Sequence, residues 1–324
     1  MSILVTGGVG YIASHMIDLL CSKGEEVIAF DKESDNGTFF EGMNVKFVQG
    51  NLLDVQVLEK IFKENNIEAV IHFAAKAQVK ESVDNPQMYY LNNVLGSINL
   101  FDTMVKYNVK KLIFSSSAAV YGNPVEIPIK EGDPKSPTSP YGRSKKMGEE
   151  ILSDYFNAYG LLSVSLRYFN VCGASESGRF GENHNPETHI IPLIIQNIYK
   201  ENGEFTLYGT DYDTPDGTCI RDYIHVMDLA EAHYLALNKM RKGFFTEPEV
   251  YNAGYGHGFS NLEIIKKCEE VTGKKLNFTT GGRRAGDPGT LIADNSKIVK
   301  ILGWESKYDS LDVIINSVVK YYNK

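Results

Sequence analysis

Short apolar runs, many of them β-branched, recur through the first half of the chain, separated by stretches whose apolar positions fall three or four residues apart. The first pattern reads as buried strands and the second as helices with one apolar face. Strands are expected at 3–6, 27–30, 46–48, 69–73, 111–115 and 163–167, and helices at 11–22, 55–65, 86–107 and 141–159. The third helix carries a start signal, Asn85 as N-cap and Pro86 in the first turn, and Tyr90, Val94, Phe101 and Val105 recur along it at helical spacing. Such alternation builds a parallel sheet wound with helices. After about residue 170 it fades into a segment rich in Gly, Glu, Asn and Pro, followed by an apolar helix-like stretch at 190–199; the chain ends on a second one at 311–322. A second domain is expected to begin there.

The chemically informative residues fall at predicted strand ends. Gly7-Gly8-Val9-Gly10-Tyr11-Ile12-Ala13 follows the first strand and opens the first helix. Glycines there let the backbone turn tightly against a pyrophosphate, whose charge the helix N-terminus stabilises. Asp31 ends the next strand, where a carboxylate binds ribose hydroxyls and repels the extra phosphate of NADP, so NAD is the expected cofactor. A plain strand-end turn is the competing reading for each feature.

Tyr141 and Lys145 stand four apart at the start of the fourth helix, on one face, and Ser117 follows the fifth strand. The spacing alone carries little, because with 19 Tyr it occurs a second time at Tyr107 and Lys111; that pair runs from a helix into a strand and need not share a face. A phenol with a reference pKa near 10 becomes a base at pH 7 when a neighbouring ammonium lowers it, and a hydroxyl such as that of Ser117 aligns the same substrate oxygen. The set suits an enzyme that moves a hydride and a proton together.

Composition narrows the field. At 324 residues and 36.2 kDa the chain exceeds one ordinary core, and 43% hydrophobic with 23% charged residues describes an ordinary globular protein. No apolar run approaches the ~20 residues that span a bilayer, and Met1 leads directly into a strand, so a cytoplasmic location is expected. The net charge of −8 argues against nucleic acid. The four cysteines lie far apart, with no disulfide or zinc spacing. The seven histidines show no pair at metal-ligand spacing, and His72 reads as a satisfied strand-end residue, so no metal is implied.

Over essentially its whole length the chain resembles the extended short-chain dehydrogenase/reductases of the NAD-dependent epimerase/dehydratase family. The resemblance rests on Thr6 to His15, on Phe114-Ser115-Ser116-Ser117-Ala118-Ala119-Val120-Tyr121-Gly122, on Ser139-Pro140-Tyr141-Gly142-Arg143-Ser144-Lys145, on Arg167-Tyr168-Phe169-Asn170, and on Asp216-Gly217-Thr218-Cys219-Ile220-Arg221-Asp222-Tyr223-Ile224-His225-Val226. It implies an α/β fold, a Rossmann-type doubly wound parallel sheet with a smaller C-terminal α/β substrate domain. The expected division is 1–172 for the NAD-binding Rossmann domain and 173–324 for a UDP-sugar domain, with segments around 205–230 as candidates to return to the first.

The implied activity is UDP-sugar 4-epimerisation: UDP-glucose with UDP-galactose, and also UDP-GlcNAc with UDP-GalNAc. Hydride leaves sugar C4, the 4-keto sugar turns, and the hydride returns to its other face. Tyr141 is then the proton carrier, with Ser117 and Lys145. The implied NAD contacts are Gly7, Gly10, Tyr11, Ile12, Asp31, Asn51, Leu52, Phe73, Ala74, Ala75, Asn92, Ser115, Tyr141, Lys145 and Tyr168. The implied substrate contacts are Ser117, Tyr141, Asn170, His189, Ile190, Thr206, Tyr208, Arg221, Arg284, Asp287 and Leu291, the arginines on the diphosphate and Asp287 on the uridine ribose. Family dehydratases carry an Asp-Glu pair where this chain has Ala118-Ala119, which removes the proton carriers for elimination. Asn51 replaces a usual Asp, Lys76 stands one residue before the position of a Lys found in some members, and Leu291 replaces a large Tyr that in some members excludes an N-acetyl group. The family is commonly homodimeric through two helices per subunit, here 86–107 and 141–159. A 4-epimerase of another UDP-sugar, a uronate or pentose, is the alternative enzyme; a non-catalytic NAD-binding sensor is the alternative outside catalysis.

Overall fold

The structure, a computed structural model, describes residues 1–37, 39–200, 203–284 and 287–323. Its elements begin with β1 (Ser2–Thr6), α1 (Tyr11–Ser22), β2 (Glu26–Asp31), β3 (Val45–Gln49), α2 (Val55–Glu64) and β4 (Ile67–His72). Next come α3 (Val79–Asp84), α4 (Pro86–Tyr89), a π-helical turn (Tyr90–Leu95), α5 (Gly96–Lys106), β5 (Lys111–Ser117), α6 (Pro140–Tyr159), β6 (Leu162–Tyr168) and β7 (Asn170–Cys172). Then follow α7 (Ile190–Tyr199), β8 (Phe205–Tyr208), β9 (Ile220–Arg221), β10 (Tyr223–His225), α8 (Val226–Arg241), β11 (Glu249–Ala253) and β12 (Phe259–Ser260). The last are α9 (Asn261–Thr272), β13 (Phe278–Gly281), β14 (Thr290–Leu291), α10 (Ser296–Leu302) and α11 (Leu311–Tyr322).

Seven strands form one sheet in the order β11-β6-β5-β4-β1-β2-β3, and the pairs from β3 through β5 run parallel. This is the Rossmann-type doubly wound arrangement. Ile3, Leu4 and Val5 of β1 are fully buried because helices cover both faces, as the unbroken apolar run demands. Leu58, Ile61 and Phe62 of α2 pack with Leu100, Phe101 and Met104 of α5 against Leu4, Ile28, Val70 and Leu112 of the sheet. Each such side chain contributes about 1.5–3 kcal/mol on burial. Strand order reverses between β1 and β4, so Thr6 and His72, register partners, mark the switch point where ligands of such folds bind.

The helix expected over 86–107 is interrupted. Asn85 caps it as anticipated, accepting the Met88 N–H, but the π turn inserts a residue and rotates the following side chains. Tyr89, Asn93, Ser97, Leu100, Phe101 and Met104 are therefore buried, while Tyr90, Val94 and Val105 are only partly so.

The chain divides into two compact units: residues 1–122, 135–167 and 230–251, and residues 123–134, 168–229 and 252–324. The return to the first unit falls at 230–251 rather than around 205–230, because β11 belongs to the seven-stranded sheet whereas β8, β9 and β10 belong to small sheets of the second unit. Residues 123–134 join the second unit through Ile129, whose N–H donates to Ile292 O (2.8 Å) and whose carbonyl accepts from Asp294 N (2.7 Å) and Asn252 Nδ2 (2.8 Å). In that unit α7, α9 and α11 bury Ile191, Ile194 and Ile195, Ile264 and Ile265, and Ile314, Ile315 and Val318. Among the described residues no helix is long and apolar enough to cross a membrane.

Candidate active site

The glycine turn has the shape a dinucleotide needs. Gly7 adopts φ +74°, and a Cβ there would lie 2.8 Å from the main-chain nitrogen of Ala74, so no larger residue lets β1 turn beside the end of β4. Gly10 is the N-cap of α1 and brings no side-chain cap, which leaves the positive end of that helix to a ligand anion. Asp31 at the end of β2 accepts the Val9 N–H at Oδ2 (3.1 Å) and the Glu33 N–H at Oδ1 (3.0 Å); burial pushes its carboxyl up, and these bonds oppose the shift. Tyr11 and Ile12 open α1, and Phe73, Ala74 and Ala75 follow β4, all partly buried. Leu52 is buried, whereas Asn51 is exposed and accepts the Leu53 N–H in its own turn (3.0 Å). Backbone that approaches closely, a helix N-terminus and a strand-end carboxylate fit NAD.

Ser117, Tyr141 and Lys145 come together as expected. Ser139 caps α6 by accepting the Gly142 N–H (3.1 Å), and Pro140 occupies the first helical position. A Cβ on Gly142 would lie 2.4 Å from the Ala119 carbonyl, so glycine lets the helix start press against the turn after β5. Ser117 Oγ accepts the Ala119 N–H (3.1 Å) and faces the Tyr141 phenol. Burial raises the Tyr141 pKa and the Ser117 hydroxyl lowers it. One turn on, buried Lys145 donates from Nζ to the Ser115 carbonyl (2.6 Å) and lies 6.0 Å from the centre of the Tyr141 ring. Burial pulls its pKa down to about 7, against the field of Glu149.

Behind this set runs a polar chain that sequence reasoning did not find. Ser97 Oγ donates to the Asn93 carbonyl (2.6 Å) and so accepts from His72 Nε2 (2.9 Å), which assigns the proton to Nε2 and leaves Nδ1 to accept from Thr6 Oγ1 (2.7 Å). His72 is the satisfied strand-end residue anticipated, and burial with the Lys145 charge depresses its pKa to about 3. Asn93 Nδ2 donates to the Lys76 carbonyl (2.9 Å) and Ser144 Oγ (3.0 Å), while its Oδ1 accepts the Lys76 N–H (2.8 Å) and Asn92 Nδ2 (3.0 Å). The π turn that carries Asn92 and Asn93 is thereby pinned to α6 between Tyr141 and Lys145. A polar residue in an apolar helix stripe was the only signal available.

Glu149, four residues past Lys145, accepts from Arg167 at both carboxylate oxygens (2.9 and 2.6 Å) and from Ser116 (2.5 Å); Arg167 also donates to the Tyr121 hydroxyl (2.7 Å). The Lys145/Glu149 spacing was visible in the sequence, but Arg167 read only as a strand end.

Within the second unit, the expected substrate contacts lie mainly on short strands. Arg221 and Asp287 are paired with each other, and Arg221 further donates to the carbonyls of Pro288 (2.8 Å) and Ile220 (2.8 Å). The Arg284 guanidinium lies 4.7 Å over the exposed Tyr208 ring, and Thr206 bonds Thr279 across β8 and β13 (3.3 Å). Leu291, partly buried, is the register partner of Arg221. Asp222 organises this corner: its N–H donates to Leu291 O (3.0 Å), its carbonyl accepts the Asn170 N–H (2.9 Å), and its carboxylate accepts the N–H groups of Tyr255, Gly256 and Ala293 (2.7–3.1 Å). Tyr168, at the end of β6, is buried. Ile190 opens α7, and the imidazole and N–H of His189 are engaged by carboxylates: Nδ1 by Glu182 (2.7 Å) and Glu187 (3.0 Å), and the N–H by Glu187 (2.9 Å). His184 joins them, and one ligand-type atom from each of the four side chains lies within 4.8 Å of the others, a grouping that the sequence reading did not single out.

A Rossmann-type unit with a glycine turn, a strand-end Asp and a Ser/Tyr/Lys set defines a dinucleotide-dependent enzyme class. The family model for the NAD dependent epimerase/dehydratase family matches residues 3–254. The UDP-glucose 4-epimerase of Halalkalibacterium halodurans is 46% identical over 324 residues, covering 100% of this chain and 96% of its own. Among solved structures, a UDP-glucose 4-epimerase from Brucella ovis in complex with NAD superposes with TM-score 0.94 at 41% identity (99% and 98% of the two chains covered). Another from Bifidobacterium longum, with NAD+ and UDP, gives 0.92 at 41% (100% and 98%). The chain belongs to the NAD-dependent epimerase/dehydratase family.

Proposed function

We infer that this protein is an NAD-dependent 4-epimerase that interconverts UDP-glucose and UDP-galactose. The observation that carries the reading is the convergence of Ser117, Tyr141 and Lys145, the last one helical turn from Tyr141, in a chain alike over its full length to UDP-glucose 4-epimerases. NAD, held by the glycine turn and Asp31, would supply the hydride acceptor and donor for sugar C4. The residues of the chain handle the proton and the binding. Tyr141 takes the C4 hydroxyl proton and gives it back, Ser117 aligns the oxygen, and the Lys145 ammonium stabilises the phenolate. Gly7, Gly10, Tyr11, Ile12 and the α1 N-terminus hold the pyrophosphate, and Asp31 the adenosine ribose.

On the substrate side, Arg221 and Arg284 meet the diphosphate, Arg221 sharing its guanidinium with Asp287, and Tyr208 with Thr206 lines the base pocket. With Ala118 and Ala119 after Ser117 there is no acid–base pair for dehydration. Leu291 leaves room for an N-acetyl group, so UDP-GlcNAc and UDP-GalNAc are included as substrates. Four thiols outside any disulfide among the described residues, three of them buried, suit the reducing cytoplasm. Exposed Leu91, Leu95, Met147 and Tyr159 on the π turn and α6 support a homodimer through these helices. Light scattering checks this: a Leu91→Glu/Leu95→Glu variant of halved mass supports it, and a parent of monomer mass overturns it.

The test of the activity is incubation of purified protein with UDP-galactose, read by proton NMR of the sugar anomeric signals. Conversion to UDP-glucose supports the reading. No conversion, even with NAD+ added, would falsify it.

A further inference from the structure

Four side chains outside the catalytic set converge in the loop before α7. Glu182, His184, Glu187 and His189 each offer one ligand-type atom, and these atoms all lie within 4.8 Å of one another. Nδ1 of His184 is 3.3 Å from Glu182 and 3.7 Å from Glu187; Nδ1 of His189 is 2.7 Å from Glu182 and 3.0 Å from Glu187. The two carboxylates are buried, at 3% and 4% side-chain exposure, whereas the imidazoles are 40% and 49% exposed. Two neighbouring carboxylates withdrawn from water need two compensating positive charges, which a pair of imidazolium ions or a single dication supplies.

The same convergence of donors suits a single dication. Both imidazoles turn the same nitrogen, Nδ1, toward the shared centre, a convergence that independent ion pairs do not require. The four His–Glu separations bracket the ~3.3–3.4 Å that ligands ~2.0–2.1 Å from a tetrahedral zinc ion keep from each other. The Glu187 carboxylate is held from behind, accepting the N–H groups of Thr188 (2.7 Å) and His189 (2.9 Å), and the loop main chain is anchored at Glu182, whose backbone carbonyl accepts from the Tyr322 hydroxyl of α11 (2.7 Å), itself an acceptor from Gln196 of α7 (3.1 Å). Hydrogen bonds to a ligating carboxylate fix its orientation in metal sites.

We propose that Glu182, His184, Glu187 and His189 bind one divalent transition-metal ion, zinc or an ion of similar chemistry, that ties the 182–189 loop to the start of α7. Two imidazole nitrogens and two carboxylates suit zinc, cobalt or nickel; magnesium and calcium prefer all-oxygen sets, and cuprous copper prefers sulfur.

The test uses the full-length protein, stripped with chelator and dialysed, then titrated with Co2+ alone and with Zn2+ as competitor. One equivalent of Co2+ with the intense visible bands of tetrahedral coordination, displaced by one equivalent of Zn2+, is expected. His184→Ala and Glu182→Gln should each weaken binding at least tenfold, while His257→Ala, at an exposed His–Asp pair elsewhere, leaves it unchanged. Zn2+ should also raise the melting temperature of the parent and not of His184→Ala, with circular dichroism confirming that the variant is folded. No stoichiometric binding by the parent, an octahedral Co2+ spectrum, or parent-like affinity in both variants would overturn the proposal.

Discussion

Glu149 and Arg167 form a two-pronged buried ion pair, with Nε–Oε1 and Nη2–Oε2 separations of 2.9 and 2.6 Å, on the helix turn directly after Lys145. Because Glu149 is the charge that opposes the burial-driven fall of the Lys145 pKa, this pair connects the stability of the sheet to the proton chemistry.

Glu149→Gln removes one partner of a buried pair and leaves the Arg167 charge uncompensated, a loss of about 3–5 kcal/mol in urea unfolding. The same change lets the Lys145 pKa fall below about 7. Since Lys145 acts as a cation, its contribution disappears as pH rises through its pKa. The alkaline limb of the kcat–pH profile should therefore lie at lower pH in the variant than in the parent. An unmoved limb would disconnect Glu149 from Lys145.

Tyr141→Phe should cost about 10²–10⁴ in kcat, the usual contribution of a positioned proton carrier, and Lys145→Met a comparable amount. Ser117→Ala, which removes one hydrogen bond to a developing charge, should cost about 10- to 100-fold. Measured as kcat on UDP-galactose, with NAD content checked in each variant, parent-like rates for Tyr141→Phe would end the catalytic assignment.

His72 gives a pH dependence of stability. Its folded pKa, about 3, lies below the ordinary 6.5, so the unfolded chain binds the proton that the folded one refuses. The stability this represents is present above pH 6.5 and is lost as pH falls toward 3, at a limiting slope of about 1.4 kcal/mol per unit. Urea midpoints of the parent should fall more steeply than those of His72→Gln between pH 6.5 and 4.5. Parallel curves would mean that His72 accepts a proton in the folded state.

Leu291→Tyr should lower kcat/KM for UDP-GalNAc at least tenfold while sparing UDP-galactose. Equal activity of the variant on both sugars would remove Leu291 from the pocket wall.

Much of the first unit was legible because its physics is local. Unbroken apolar runs, Asn85 and Pro86, and the Gly7–Gly10 turn each announce one element, and the six expected strands are observed within a residue or two of their expected bounds, while β11 at the sheet edge had no counterpart among them. The π turn was not legible, since an inserted helical residue leaves the apolar spacing only subtly shifted, and the Asn93 amide it carries is held by Lys76 and Ser144, partners 17 and 51 residues away. The passage of 230–251 to the first unit is likewise non-local, set by strand pairing at the sheet edge. In the second unit, two-residue strands such as Ile220–Arg221 carry no periodicity, so Asp222, which binds Tyr255, Gly256 and Ala293, became visible only in three dimensions. The Glu182–His189 grouping had a signal in the sequence, since His184 and His189 stand with four residues between them, Glu187 among these, a ligand-type spacing that the reading of the histidines passed over.

The most direct test of the central claim follows the hydrogen at C4. UDP-galactose labelled with deuterium at C4, incubated with the purified protein and no added cofactor in ordinary water, should give UDP-glucose that keeps the label at C4, because the hydride removed is the one returned. Epimerised product that has lost the deuterium to solvent would contradict the account.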